Sequence, residues 1–334
     1  MQTRSRGLRE LCRLLGYSAQ AYYQYRRTET KRILEEDLII GQVLLHRKLL
    51  PRSGGRQLHE LLQPFMELHR CYLGRDLLYD VLRANNLLVR RYKGRKPRTT
   101  FSDHLLKKYP DLAKGLKVDR PNALWVSDIT YIRLSKERFA YLSLVTDAYS
   151  RKIVGFHLSA DLSADSCLLA LQMALAREKP EKDTLIHHSD RGAQYCSHVY
   201  TGLLLSNYIG ISMTQSGDPR DNAIAERVNG VLKQELLQEY YLNLGIARQE
   251  VAAAIAIYNQ ERPHSSIDML TPNQAHSCTG EIQRRWKSPY QRMLEKLEAE
   301  KSTKEGGELK EKKEAKKRKQ VEIWKTEGVS HIPT

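Results

Sequence analysis

The sequence predicts an α/β protein in three parts: an all-helical basic region, a mixed-sheet core and a charged tail. Three observations carry this. Through about residue 89 apolar positions recur at helical spacing, with no strand-like run. From Asn122 three β-type runs follow in close succession, and strands then alternate with helices. Beyond about Glu281 charges crowd the chain and few apolar residues are left to bury. The boundaries are 1–98, a connector at 99–120, a core at 121–280 and a charged helical or disordered tail at 281–334.

Residues 7–30 read as two short helices around Gly16-Tyr17, with Ser18 placed to cap the second. Another amphipathic helix is expected over 33–50. Gly54-Gly55-Arg56 opens a helix through about His69, and Gly74-Arg75 opens a shorter one, RDLLYDVLRANNLL. Two helices around a glycine-bearing turn suggest helix-turn-helix geometry, with a plain helical bundle as the alternative. RRYKGRKPR follows at once and reads as an extended basic arm along DNA phosphates, carried by Arg90, Arg91, Lys93, Arg95 and Lys96. A solvated linker would have the same composition, but the position after a recognition-type helix, which Arg75 opens, favours DNA.

In the core, ALWVSDITYIRL, RFAYLSLVTDAYS and KIVGFHLSA are close enough together for an antiparallel meander. Then come a helix (LSADSCLLALQMALARE), a short strand ending in Asp190, a helix over CSHVYTGLLLSNY and a last strand, IGISMTQ. DNAIAERVNGVLKQELLQEYY is a long helix, and LGIARQEVAAAIAIYNQERP is a further one. This is the element order of a ribonuclease-H-like mixed sheet. In the tail, the basic cluster at Lys316–Lys319 fits a solvated charge run better than a DNA contact.

Lys and Arg number 55 against 39 Asp and Glu, a formal net charge of +16, which argues for a polyanionic partner. No apolar run approaches membrane-span length and the opening residues have no signal-peptide core, so a membrane partner is not expected. The five cysteines are scattered without a CxxC pair, which argues against a disulfide framework or structural zinc and for a reducing cytoplasm.

Three acids stand out from the solvated background. Asp128 lies in the middle of WVSDITYI, where a carboxylate is costly unless paired or metal-bound. Asp190 ends LIHHSD and is followed by Arg191-Gly192, a loop at a strand's carboxyl end. Glu226 falls in the first turns of a helix beginning near Asp221. Steps of four, three and four place Asn222, Glu226, Asn229 and Lys233 on one helical face, with Ile224, Val228, Val231 and Leu232 on another. An ordinary surface helix explains Glu226 alone, but not the two strand-borne aspartates ahead of it. Carboxylates of this kind suit two Mg²⁺ ions in phosphoryl transfer. His187-His188 could suggest zinc, but adjacent strand residues point oppositely, so packing or a phosphate contact fits better. Asp147 and Asp161 fit no such position and serve as controls.

WVSDITYI, HHSDRGAQY and DNAIAERVNGVLKQEL together resemble the three motifs of the retroviral-integrase-like catalytic core found in bacterial insertion-sequence transposases. Residues 191–225, thirty-five in all, separate Asp190 from Glu226, and Lys233 lies seven beyond that Glu, as in that group. YNQERPHSSIDMLTP resembles the segment that closes the core. The likeness is nearest to the second-frame proteins of the insertion-sequence family whose transposase is made by frameshifting, and it covers roughly residues 10–275. It implies a ribonuclease-H-like fold with Asp128, Asp190 and Glu226 as ligands to two Mg²⁺, Mn²⁺ substituting. It implies cleavage at element ends in double-stranded DNA and attack of the freed 3′-OH on target DNA. His188, Gln194, Tyr195, Asn222 and Lys233 match motif positions and would support DNA or ligand placement. A homo-oligomer on paired ends, an upstream-frame partner protein and a cytoplasmic, nucleoid-associated setting are further implications. A nuclease or resolvase of the same fold leaves the helix-turn-helix region unexplained, and a DNA-binding regulator leaves the carboxylates idle. The tail after Glu281 is not part of the family pattern.

Overall fold

The structure is a computed structural model that describes residues 4–89, 104–135, 138–215, 222–282 and 293. The basic arm Arg90–Arg98 and nearly all of the predicted tail lie outside the described residues.

In the N-terminal region α1 (Arg4–Leu14) and α2 (Ala19–Leu49) flank Gly16, whose φ of 76° suits the turn. The Ser18 side chain accepts from the Ala21 amide at 3.0 Å, as an N-cap should. The stretch expected as two helices is one α2 of 31 residues. No Gly or Pro interrupts it near residue 30. There the Thr28 and Thr30 hydroxyls bond back to the Gln24 and Arg26 carbonyls, and Lys31–Glu35 and Arg32–Glu36 pair at i,i+4. α3 (Gly55–His69) and α4 (Arg75–Ala84) follow as expected. Ile39 and Val43 of α2 pack with Leu58, Leu62 and Met66 of α3 and Leu78 and Leu82 of α4.

The core is built on β1 (Leu124–Arg133), β2 (Phe139–Asp147), β3 (Ile153–Ser159), β4 (Ile186–Ser189) and β5 (Gly210–Met213), in spatial order β3-β2-β1-β4-β5. β1–β2 and β2–β3 pair antiparallel, the expected meander, while β1–β4 and β4–β5 pair parallel. That is the ribonuclease-H-like sheet. Helix α5 (Ala164–Glu178) crosses one face; a Cβ on Gly155 of β3 would sit 2.1 Å from the Ala170 carbonyl, so only glycine admits this approach. The helix expected over Cys196–Tyr208 is α7 (His198–Ser206), capped by the Ser197 side chain, and a short α6 (Ala193–Cys196) precedes it. On the other face lie α8 (Ala223–Val231) and α9 (Leu244–Glu261), and α10 (Pro272–His276) closes the described core. α8 continues only through a π-helical turn, Leu232–Leu236, and is shorter than predicted.

Residues 104–118, expected as connector, contain no helix or strand but pack on the core. The Pro110 carbonyl accepts from the Met213 amide at 3.1 Å, and the Leu112 amide donates to Ser212 Oγ at 2.8 Å, which covers the edge of β5. Leu106 and Tyr109 extend one apolar cluster, and Ala113 and Val118 another.

Candidate active site

Alternation along β1 divides its side chains between the two layers. Trp125, Ser127 and Ile129 face the α5–α7 layer, where Trp125 is fully buried and its indole N–H donates to Asn122 Oδ1 at 2.9 Å. Leu124 and Val126 face α8, packing with Ile224 and Ala225, so Asp128 points to the same side. β1 and β4 pair parallel with Val126 beside His188. That pairing stops there, and Asp190 follows the carboxyl end of β4, near enough to Asp128 for its charge to act on it.

Asp128 is half-buried. Its Oδ1 accepts from the Ile129 amide at 2.9 Å and its Oδ2 from the Asn229 side-chain amide at 2.7 Å. Burial and then the neighbouring Asp190 push its carboxyl up to about 7, Glu226 adds to the rise, and the two hydrogen bonds oppose it. Asp190 Oδ1 accepts from the Gly192 amide at 2.9 Å. A Cβ at Gly192 would lie 3.0 Å from that oxygen, so this turn favours glycine.

The predicted face of α8 lies along β1. The Asn222 amide donates to the Ser127 carbonyl at 2.9 Å, Asn229 holds Asp128, and Lys233 Nζ sits 3.5 Å from the centre of the Tyr131 ring. Glu226 lies between them with its side chain exposed. The apolar stripe packs where expected, with Val228, Val231 and Leu232 in the core shared by β1, β2 and α9. Lys233 belongs to the π-helical turn, and Arg52 of the N-terminal region donates to the Gln234 and Leu237 carbonyls there at 3.1 and 2.8 Å. Arg262 grips Glu235 of the same turn with two bonds of 2.8 Å.

Among the described residues no three His, Cys, Asp or Glu side chains stand close enough to share a metal ion. Asp128 and Asp190 are neighbours, and Glu226 is near enough for its charge to register on Asp128. Hard oxygen donors whose mutual repulsion raises a pKa are the chemistry a hard divalent cation relieves, so the donor set fits such an ion.

The other predicted residues divide between depth and surface. His188 is buried, with Nδ1 2.8 Å from Ser212 Oγ. Tyr195 is buried as well, and Gln194 is half-buried, its amide donating to the Leu162 carbonyl at 3.5 Å. None of the three is an open surface group. Arg75, at the start of α4, is exposed beside Asp76. His187 points to the opposite face from His188, its Nε2 2.7 Å from Ser127 Oγ and 2.9 Å from the Tyr200 hydroxyl. Burial, and then the adjacent His188, push it down to about 3, which leaves it neutral in the packing. Two assignments change in meaning. Asn229, placed by sequence only on a shared helical face, is the side chain that fixes Asp128. Asp147, chosen as a control acid, is fully buried and accepts from the Asn122 amide and from the Ser150 amide and hydroxyl, so it is structural. Asp161 is exposed and keeps the control role.

Comparison with known proteins defines the class first. Residues 118–219 and 207–272 each match a family model described as an integrase core domain. The chain is 31% identical to an insertion element IS600 protein of 31 kDa from Shigella sonnei over 271 residues, covering 78% of this chain and 96% of that one. It is 31% identical to the transposase for insertion sequence element IS629 of the same species, over 66% of this chain and 78% of the relative. It is also 38% identical to transposase InsF for insertion sequence IS3A of Escherichia coli, over 46% and 54%. The chain belongs to the insertion-sequence transposase family, with an integrase core domain. It is therefore a polynucleotidyl transferase by class. Among the described residues no helix is long and apolar enough to cross a membrane.

Proposed function

We propose that this chain cleaves double-stranded DNA at the ends of an insertion sequence and joins the freed 3′-OH to target DNA. The observation that carries the reading is the closeness of Asp190, just past the carboxyl end of β4, to Asp128 on the neighbouring parallel strand β1. It is near enough for its charge to raise the Asp128 pKa, with α8 supplying Asn229 and Glu226 beside them. Asp128, Asp190 and Glu226 would hold two Mg²⁺ ions, or Mn²⁺ in their place. When bound, such ions activate the attacking oxygen and stabilise the leaving one. Asn229 keeps one carboxylate oxygen of Asp128 in place, and the Gly192 amide does the same for Asp190. Lys233, seven residues beyond Glu226 in the π-helical turn and over the Tyr131 ring, would meet a DNA phosphate. In the first step water adds to phosphorus and the 3′ oxygen of the element end leaves. In the second that 3′-OH adds to a target phosphate and the target's own 3′ oxygen leaves, so one P–O bond forms and one breaks in each.

The N-terminal helices, Arg75 and the basic residues Arg90, Arg91, Lys93, Arg95 and Lys96 would hold the element end, and two ends would require more than one copy of the chain. The test is a strand-transfer assay on an end-labelled duplex. Mg²⁺ should yield both the nicked end and the joined product, while Ca²⁺ should support the complex without turnover. Cleavage without any joined product would favour a nuclease of the same fold. DNA binding with neither reaction would leave a regulator.

A further inference from the structure

α2 carries more apolar surface than its own bundle uses. Its buried side chains, Ile39 and Val43, enter the core shared with α3 and α4. Elsewhere on the helix Leu34, Leu38, Leu45 and Leu49 are 60, 50, 53 and 51% exposed. With 3.6 residues per turn these four fall within roughly 60° of arc, about 130° round from the buried pair. Scattered exposed leucines are ordinary, but four in one stripe about 22 Å long mark a surface made to be covered.

The spacing of the stripe says what covers it. Leu38 and Leu45 lie equally far from the Gly41–Gln42 peptide, and so do Leu34 and Leu49. A stripe symmetric about its own midpoint is self-complementary, as a two-fold interface requires. Two α2 helices laid antiparallel set Leu38 of each copy against Leu45 of the other, and Leu34 against Leu49. Gly41, exposed and with nothing within 4 Å of where a Cβ would lie, falls at the crossing and lets the backbones approach. Asp37 and Lys48 lie together on one flank of the stripe, both exposed. The antiparallel arrangement brings each Asp37 within reach of the other copy's Lys48, twice over.

We propose that two copies of this chain associate through antiparallel pairing of α2 along Leu34, Leu38, Leu45 and Leu49. The pairing does not depend on the catalytic reading and should occur without DNA. The full chain at tens of micromolar should show the mass of two copies by light scattering. Leu38→Asp combined with Leu45→Asp should halve that mass while leaving the circular dichroism spectrum unchanged, because both positions face solvent in one copy. Register is tested by oxidative cross-linking, with the wild-type chain as background. Leu38→Cys with Leu45→Cys should form covalent dimers. Leu38→Cys alone should not, because antiparallel pairing separates the two copies' residue 38 by seven residues of rise, roughly 10 Å. A wild-type chain that stays monomeric would mean that the stripe takes another occupant, such as the chain's own charged tail, and would overturn the proposal. So would a dimer unaffected by the aspartates, or efficient cross-linking by Leu38→Cys alone.

Discussion

The two faces of β1 show how one strand serves two ends. On the α5–α7 side Trp125 is sealed in an apolar cluster, and Ser127 joins a buried trio with His187 and Tyr200. On the α8 side the same alternation begins with Leu124 and Val126 in apolar contact and then changes to Asp128 beside Asp190. The first face is satisfied as it stands. The second holds carboxyls at a pKa pushed up to about 7 for Asp128, a cost that folding alone does not need. A rigid, dry layer on one side of a strand thus lets the other side hold like charges at fixed separation.

Substitutions on the two faces should separate activity from stability, and the largest effects come first. Asp128→Asn, Asp190→Asn and Glu226→Gln should each abolish cleavage and strand transfer, with denaturation midpoints unchanged or raised as repulsion is removed. Asp161→Asn should keep full activity. On the opposite face, Trp125→Ala should cost about 3–5 kcal/mol in urea unfolding, the range for deleting a buried large aromatic. If Trp125→Ala spares stability, or if an acid substitution unfolds the chain, the division between the faces fails.

Asn229 sharpens the comparison, because it crosses from α8 to the strand. Asn229→Ala removes the side-chain amide that donates to Asp128 Oδ2 but leaves the apolar stripe of α8 intact. Loss of a group that orients a metal ligand typically costs about 10–100-fold in activity or metal affinity. The expected result is a loss of that size in strand-transfer rate, with DNA binding by gel shift unchanged. A rate equal to wild type would show that the Asp128 carboxylate needs no such anchor.

Much of this was legible in the residues. A carboxylate in the middle of WVSDITYI has few explanations, and steps of four and three already place Asn222, Glu226, Asn229 and Lys233 together. What stayed hidden depended on partners distant in sequence. Nothing near Asn229 says that it will meet Asp128, a hundred residues earlier. Asp147 resembles any acid at a strand end until Asn122 and Ser150 are folded onto it. The continuity of α2 is not legible in the polar stretch near residue 30, because it rests on Thr28 and Thr30 hydroxyls bonding back within the helix. Residues 104–118 have no periodicity, and their packing beside β5 follows from an exposed sheet edge that only the topology reveals.

The last prediction concerns a charge cluster that serves the fold alone. His276 of α10 places Nε2 2.7 Å from Glu178 Oε2 and Nδ1 3.0 Å from Ser150 Oγ, and Lys152 Nζ lies 2.8 Å from the other Glu178 oxygen. This ties α10 to the end of α5 and to the β2–β3 turn, away from the carboxylates. Burial alone would push His276 down, but the Asp147 carboxylate 3.8 Å from its Nδ1 and the hydrogen-bonded Glu178 lift it to about 8 from 6.5. Burial would push Glu178 up, but His276 and Lys152 hold it at about 2, against 4.5. The histidine's folded pKa is the higher one, so its contribution is complete below pH 6.5 and is lost as pH rises through about 8. The glutamate's folded pKa is the lower one, so its contribution is complete above pH 4.5 and is lost as pH falls toward 2. The histidine shift corresponds to about 2 kcal/mol. Urea unfolding should therefore show a stability lower by about that amount at pH 9 than at pH 6. His276→Gln should be less stable than wild type at pH 6 and should lose most of the alkaline decline. An alkaline decline that survives intact in His276→Gln would place the titrating group elsewhere and break the link between this cluster and the fold.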